Sequence, residues 1–241
     1  MVATAVRAAS YVATGYLCRV ARTCHLYVAI HDGDTLSLRN GDSFLPDLIP
    51  LLKARPVVFP FWNAHSLLII AAYLASSDAV REHLRDINAA SDDTIGGRIT
   101  SEMFGRIGIK SRRIAFSDAV RRLEDIRDTL KERTGVAIAA DSHGPYRQIS
   151  PGMARFAKSY HGIVTPISSW CNRSFALFRR IGMLAPLPAC TIVLGVGKAI
   201  DLRDTTLPLS AVREMLQISL ERLEADIRTA GARGQLDCGT I

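Results

Sequence analysis

The chain has 241 residues, 48% of them hydrophobic and 22% charged, with five cysteines and a formal net charge of +7. That length fits one large domain with a core that needs no disulfide staples, and no repeat of 20 to 50 residues points to a solenoid. The cysteines Cys18, Cys24, Cys171, Cys190 and Cys238 are odd in number and form no CxxC pair, which excludes a zinc ribbon and a thioredoxin-like motif. The basic excess fits an anionic membrane surface or nucleic acid, and equally a solvated basic exterior.

From the N-terminus, Ala8 to Cys18 is mostly apolar and bracketed by Arg7, Arg19 and Arg22, too short a run to cross a bilayer. A signal peptide shares these marks but lacks a clear cleavage site here. An interfacial helix with Val6, Val12, Tyr16, Leu17 and Val20 on one face is favoured, and a helix packed on the domain's own core is the plain alternative. Residues 1–30 are therefore read as an amphipathic, membrane-interfacial segment and 31–241 as a single α/β domain.

Ile30 to Gly41 carries turn chemistry around a short alternating run and predicts a hairpin or a strand with turns, followed by a short helix over Leu45 to Leu52. Pro56 to Trp62 reads as a buried strand, with a buried helix from His65 to Ala75 leaving its C-terminal end. A helix at Asp78 to Arg85, a strand at Ile87 to Ala90 and a polar turn Ser91 to Thr94 follow. In that turn Asp92 and Asp93 are natural N-caps for a helix from Ile95 to Arg106.

Ser117 to Glu132 predicts an amphipathic helix, Gly135 to Ala140 a second buried strand and Pro151 to Tyr160 a helix carrying Met153, Phe156 and Ala157 inward. Gly162 to Ser169 and Cys190 to Val196 are the third and fourth strands. Leu209 to Ala230 is a terminal helix with Val212, Leu216, Leu220, Leu223 and Ile227 on one side. The alternation predicts an α/β fold with a mixed, largely parallel central sheet flanked by helices. Polar groups then gather at the strand C-terminal ends, at Trp62 to Ser66, Ser91 to Thr94 and Asp141 to Arg147.

The segment from Gly135 to Tyr146, a strand ending in Asp141-Ser142-His143-Gly144-Pro145, is followed by Ser150-Pro151-Gly152. It resembles the Asp-Gly-Pro-x-Gly-Pro signature of a largely uncharacterised bacterial branch of the lysophospholipid acyltransferase-like superfamily. Pro166-Ile167-Ser168, Leu187-Pro188, Arg113 ahead of the amphipathic helix and Phe61-Trp62-Asn63-Ala64-His65 are similar to further pieces of that pattern. The likeness runs from about Tyr16 to Ile200.

The resemblance implies an acyltransferase on the cytoplasmic side, peripheral on the inner membrane. Such an enzyme moves a fatty acyl chain to a lysophospholipid or glycolipid hydroxyl. Its co-substrate is acyl-coenzyme A or an acyl carrier protein, with no bound cofactor or metal; its partners are the acyl lipid and the membrane surface, and no nucleic acid. His65 would be the general base, Asp92 or Asp93 its carboxylate partner, and Arg113 and Arg147 the phosphate ligands. Asp141, His143, Gly144 and Pro145 would shape the acceptor site.

The pattern also departs from the family. Ile70 stands where the common motif has an aspartate, His65 falls two residues beyond the expected place, the aspartates of Ser91 to Gly96 are shifted, and Arg113 is followed by Ile114-Ala115. These departures leave open a relative of the same fold that binds a lipid, or a lipopolysaccharide precursor, without turnover. His65 could equally be a hydrogen-bonded helix-start histidine, and Asp141 a brace for its turn. There is no Walker A or Rossmann fingerprint, no Gly-x-Ser-x-Gly elbow and no HExxH spacing.

Overall fold

The computed structural model describes residues 2–31, 36–40, 46, 49, 57–92, 94–114, 135–141, 146–159, 162–178, 182–202 and 205–232; the side chains of 40, 92, 112–114 and 178 are outside this set. Of the predicted helix at Leu45 to Leu52 only Pro46 and Ile49 are described, both helical, and the predicted helix at Ser117 to Glu132 lies outside the described residues.

Two sheets form the body. The larger has six strands in the order β12-β7-β3-β6-β4-β5. These are β3 (Val57–Phe61), β4 (Ile87–Asp92), β5 (Ser111–Ile114), β6 (Gly135–Ala139), β7 (Ile163–Val164) and β12 (Ile200–Asp201). All neighbours run parallel except β12 on β7. β3 is buried at all five positions, as a continuous Val-Val-Phe-Pro-Phe run in a parallel sheet should be. At Gly135 a Cβ would come 2.9 Å from the Val57 carbonyl, so glycine permits the close start of the β3–β6 pairing.

The smaller sheet, in the order β2-β1-β11-β8, contains β1 (His25–His31), β2 (Leu36–Asn40), β8 (Ile167–Cys171) and β11 (Thr191–Val196). Its β1–β2 antiparallel pair takes the hairpin reading of Ile30 to Gly41, but its first strand begins at His25, inside the stretch read as an interfacial segment. Two expectations change here. The third strand is two strands: β7 ends at Val164, Thr165 N still donates to Val58 O, and β8 then joins the other sheet. Pro166 at the break has no N–H to continue the ladder. The fourth strand, now β11, pairs with β1 and β8 rather than entering the central sheet. A separate hairpin, β9 (Ser174–Phe178) with β10 (Met183–Pro186), was not foreseen.

Among the described residues six α-helices clothe the sheets: α1 (Val2–Ala21), α2 (Ser66–Ala75), α3 (Asp78–Leu84), α4 (Ile95–Arg106), α5 (Pro151–Ser159) and α6 (Leu209–Ala232). α1 packs on α2 and α4, burying Val6, Ser10, Leu17 and Val20, whereas Val12 is 71% exposed and stands off the buried face. Among the described residues no helix is long and apolar enough to cross a membrane. Thr94, not Asp92 or Asp93, caps α4: its side chain accepts from Gly97 N while Asp92 closes β4.

α6 bridges both sheets. Val212, Leu216 and Leu220 pack with α5 on the larger one, and Leu223 and Ile227 pack on Ala29 and Val193 of the smaller one. All five predicted inward positions are buried, each stabilising by roughly 1.5–3 kcal/mol. At Gly231 a Cβ would fall 2.4 Å from the Trp170 ring, so only glycine lets the helix end lie on β8.

Candidate functional site

β3 and β6 are parallel neighbours, so their C-terminal ends leave the sheet side by side. Ala140 N donates to Phe61 O at 2.8 Å, extending the pairing one step beyond the strands. Asp141 then ties the two exits together: its Oδ1 accepts from Asn63 N at 2.9 Å and its Oδ2 from Arg147 N at 3.2 Å. The carboxylate thus braces both loops by backbone bonds. Arg147 has φ 55°, a left-handed conformation that a non-glycine residue adopts at some cost, and the bond to Asp141 helps hold it.

Beyond Trp62 the chain makes a single 3₁₀ turn, Asn63–His65, before α2 begins. The turn directs His65 inward, where it is only 1% exposed. Its ring is held from two sides. On one, Nδ1 lies 3.2 Å from Ser168 Oγ and accepts from Ser169 N at 3.4 Å, both on β8. A backbone N–H can only donate, so Nδ1 is the unprotonated nitrogen and the ring proton belongs on Nε2. On the other side, Nε2 faces Glu224 Oε1 at 3.7 Å.

Glu224 is buried and answers two guanidiniums. Arg147 donates to Oε1 at 2.6 Å and Arg228 at 2.9 Å, each as a charge-assisted bond. Burial, helped by the positive charges of Arg147 and Arg228, pushes the His65 pKa down to about 3. The imidazole is therefore neutral at physiological pH, although a carboxylate is close by, because two cations already neutralise that carboxylate. Trp62 Nε1, Ser169 Oγ and Arg147 Nε are buried around this centre and have no hydrogen-bond partner among the described residues. They leave polar capacity unspent beside the histidine.

The other expected site residues are dispersed or undescribed. Asp93, His143, Gly144 and Pro145 lie outside the described residues, as do the side chains of Asp92 and Arg113. Asp92 ends β4, which β6 separates from β3, and Arg113 is on the edge strand β5, about 14 Å from β3 at normal strand spacing. His65, Asp141 and Arg147 do come together. Glu224 was missed, though the sequence held a signal. It is one acid inside an apolar stripe, four residues after Leu220 and three before Ile227, where a helix face allows no escape to solvent.

A cavity of about 120 Å³ starts at the residue after His65. It lies beneath α2 between the two sheets, with Phe59, Phe61, Val28, Leu194 and Ile70 among its walls and Ser66 and Ser76 as its polar members. Among the described residues no group of three His, Cys, Asp or Glu is placed to hold a metal ion.

A separate thiol pair lies at the far end of β8. The neighbouring Cys190 thiol holds the Cys171 thiol below its ordinary range although burial works against this, and Cys171 Sγ itself lies 3.2 Å from the Arg173 carbonyl. Its closeness to Cys171, with burial, pushes Cys190 up. Iodoacetamide is therefore expected to label Cys171 before Cys190, and Cys190→Ala to slow Cys171 labelling at neutral pH; mass-spectrometric time courses of both proteins read this out. Faster labelling of Cys171 in the variant would contradict the assignment.

No family model matches the chain, and no curated protein matches it. Among solved structures it is similar to the 1-acyl-sn-glycerophosphate acyltransferase PlsC from Thermotoga maritima, at 11% identity and a TM-score of 0.44, over 89% of this chain and 79% of that one. At that score the likeness is one of outline and carries nothing about chemistry.

Proposed function

We propose that this protein is an acyltransferase of a membrane surface, moving a fatty acyl chain from acyl-coenzyme A or an acyl carrier protein to a lysophospholipid or glycolipid hydroxyl. The observation that supports it is a histidine facing a buried carboxylate, at the C-terminal end of a central strand, with an apolar cavity beginning one residue away. In this reading His65 takes the proton of the acceptor hydroxyl, whose oxygen attacks the thioester carbonyl and releases the thiol. Glu224 takes the orienting role expected of Asp92 or Asp93, stabilising the imidazolium as it forms. Arg147 offers its unspent Nε–H to a lipid phosphate, with Arg113 as the second phosphate ligand. The cavity beneath α2 takes the acyl chain.

One observation favours a second reading, a lipid-binding protein of the same fold without turnover. His65 is almost fully buried, and its pKa of about 3 makes it a weak base in this conformation. Thioester consumption by the purified protein, with a panel of acyl donors and membrane lipid, separates the two. The acyltransferase predicts turnover that His65→Ala lowers roughly 10²–10⁴-fold without loss of folding. Lipid binding with no turnover from any donor would favour the second reading, and turnover unchanged in His65→Ala would remove the histidine from the mechanism.

A further inference from the structure

The charges of this chain are segregated along the sequence. No Asp or Glu occurs in 1–31 or in 142–200, yet these two stretches hold ten Lys and Arg; the rest of the chain is net −3. The two stretches meet in space. Tyr16 of α1 donates to the Pro186 carbonyl of β10 at 2.7 Å, Ala189 N donates to Thr23 Oγ1 at 3.0 Å, and Ala13, Tyr16, Leu17, Met183 and Ala185 share one apolar cluster.

The exposed apolar side chains follow the same division. Among the described residues nine large hydrophobic side chains stand out into solvent, and six of them are in the acid-free stretches: Val2, Tyr11, Val12, Tyr146, Phe175 and Leu177. Phe175 and Leu177 sit two apart on β9 and are 43% and 45% exposed, next to the exposed Arg173. Val12 lies one helical turn before Tyr16, on the side of α1 that reaches β10.

This face adjoins the histidine centre. β10 packs against the Asn63–His65 turn and α2, and the Tyr146 ring lies so close to Gly182, just before β10, that a Cβ there would come within 2.7 Å of its hydroxyl. Arg173, just before β9, reaches the Ala189 carbonyl while Thr23 at the end of α1 accepts from Ala189 N. The exposed Arg19, Arg22 and Arg173 thus stand with the exposed Phe175, Leu177 and Val12, and the face combines the two attractions that hold proteins to anionic bilayers, field and insertion. We propose that the β9–β10 hairpin and the adjoining side of α1 form a docking surface for an anionic phospholipid bilayer, set beside the His65 centre. The proposal rests on the lipid-handling part of the function above and not on turnover, and no acyl donor enters its test.

The test is co-sedimentation of the full chain with vesicles of phosphatidylcholine alone and of phosphatidylcholine mixed with phosphatidylglycerol. Binding is expected to the mixed vesicles, to weaken with salt, and to fall roughly tenfold in Leu177→Glu. Ile218→Glu, an equal charge change on exposed α6 outside these stretches, should leave binding near that of the parent. Val12→Glu gives a second reading of the face should Leu177→Glu melt early. Equal binding to both vesicle types, an equal loss in Ile218→Glu, or binding only to a duplex oligonucleotide and untouched by Leu177→Glu would each overturn the proposal. A protein that docks but turns over no thioester loses the acyltransferase reading and keeps the docking surface.

Discussion

Glu224→Gln is expected to destabilise the fold by about 2–3 kcal/mol and to leave the far side of α6 unaffected. The substitution keeps the shape and removes the charge that Arg147 and Arg228 share at 2.6 and 2.9 Å. Breaking a fully buried pair costs about 3–5 kcal/mol; the figure here is lower because Arg147 and Arg228 keep 33% and 59% of their side-chain exposure and can draw on water. Arg147 bears most of the loss, since its buried Nε already lacks a partner. Urea denaturation of Glu224→Gln, Arg147→Met and the double variant gives the coupling directly. The double variant should recover part of the loss, because it leaves no orphaned charge on Arg147. Strictly additive losses would mean that the carboxylate and the guanidinium act independently, and the centre as described would be wrong.

The sequence makes much of this fold legible, and the parts it hides have physical reasons. β3 and α2 are continuous apolar runs and α6 is long and strongly patterned, so their burial is legible in the sequence, and all five inward residues of α6 are where the 3.6-residue repeat puts them. The division into two sheets is not local information: β8 and β11 read as ordinary buried strands, and only pairing with β1 assigns them to the second sheet. Pro166 marks the switch, but a proline also ends strands that switch nowhere. His65 is singled out in the sequence by the resemblance that Phe61 to His65 carries and by its place after a buried strand. Its contacts are not, because Ser168, Ser169 and Glu224 lie 103, 104 and 159 residues further along the chain. Asp141 carries two readings in the sequence, a substrate role implied by its motif and a brace for its turn, and its two backbone bonds are those of a brace.

Acid should unfold this protein partly through His65, and His65→Gln should remove that part. The folded pKa is about 3 against an ordinary 6.5, so between these values the unfolded chain holds a proton that the folded one refuses. Stability from the neutral imidazole is then fully present above pH 6.5 and is lost progressively as pH falls towards 3. The ceiling of that loss is on the order of 4–5 kcal/mol. Glutamine has no proton to gain in either state, so the difference in unfolding free energy between parent and variant should shrink steadily as pH is lowered from 7 to 4. Parallel curves would show that His65 titrates as an ordinary histidine and that the centre is open to water. The same shift bears on catalysis. A base that stays neutral down to pH 3 places the acid limb of any pH–rate profile well below the usual histidine range, whereas substrate entry that admits water or displaces Arg147 from Glu224 would return the limb towards 6.5. An acid limb near 6.5 together with a steep, His65-dependent loss of stability in acid would therefore mean that lipid binding itself raises the basicity of His65, because only the liganded centre could then hold the proton.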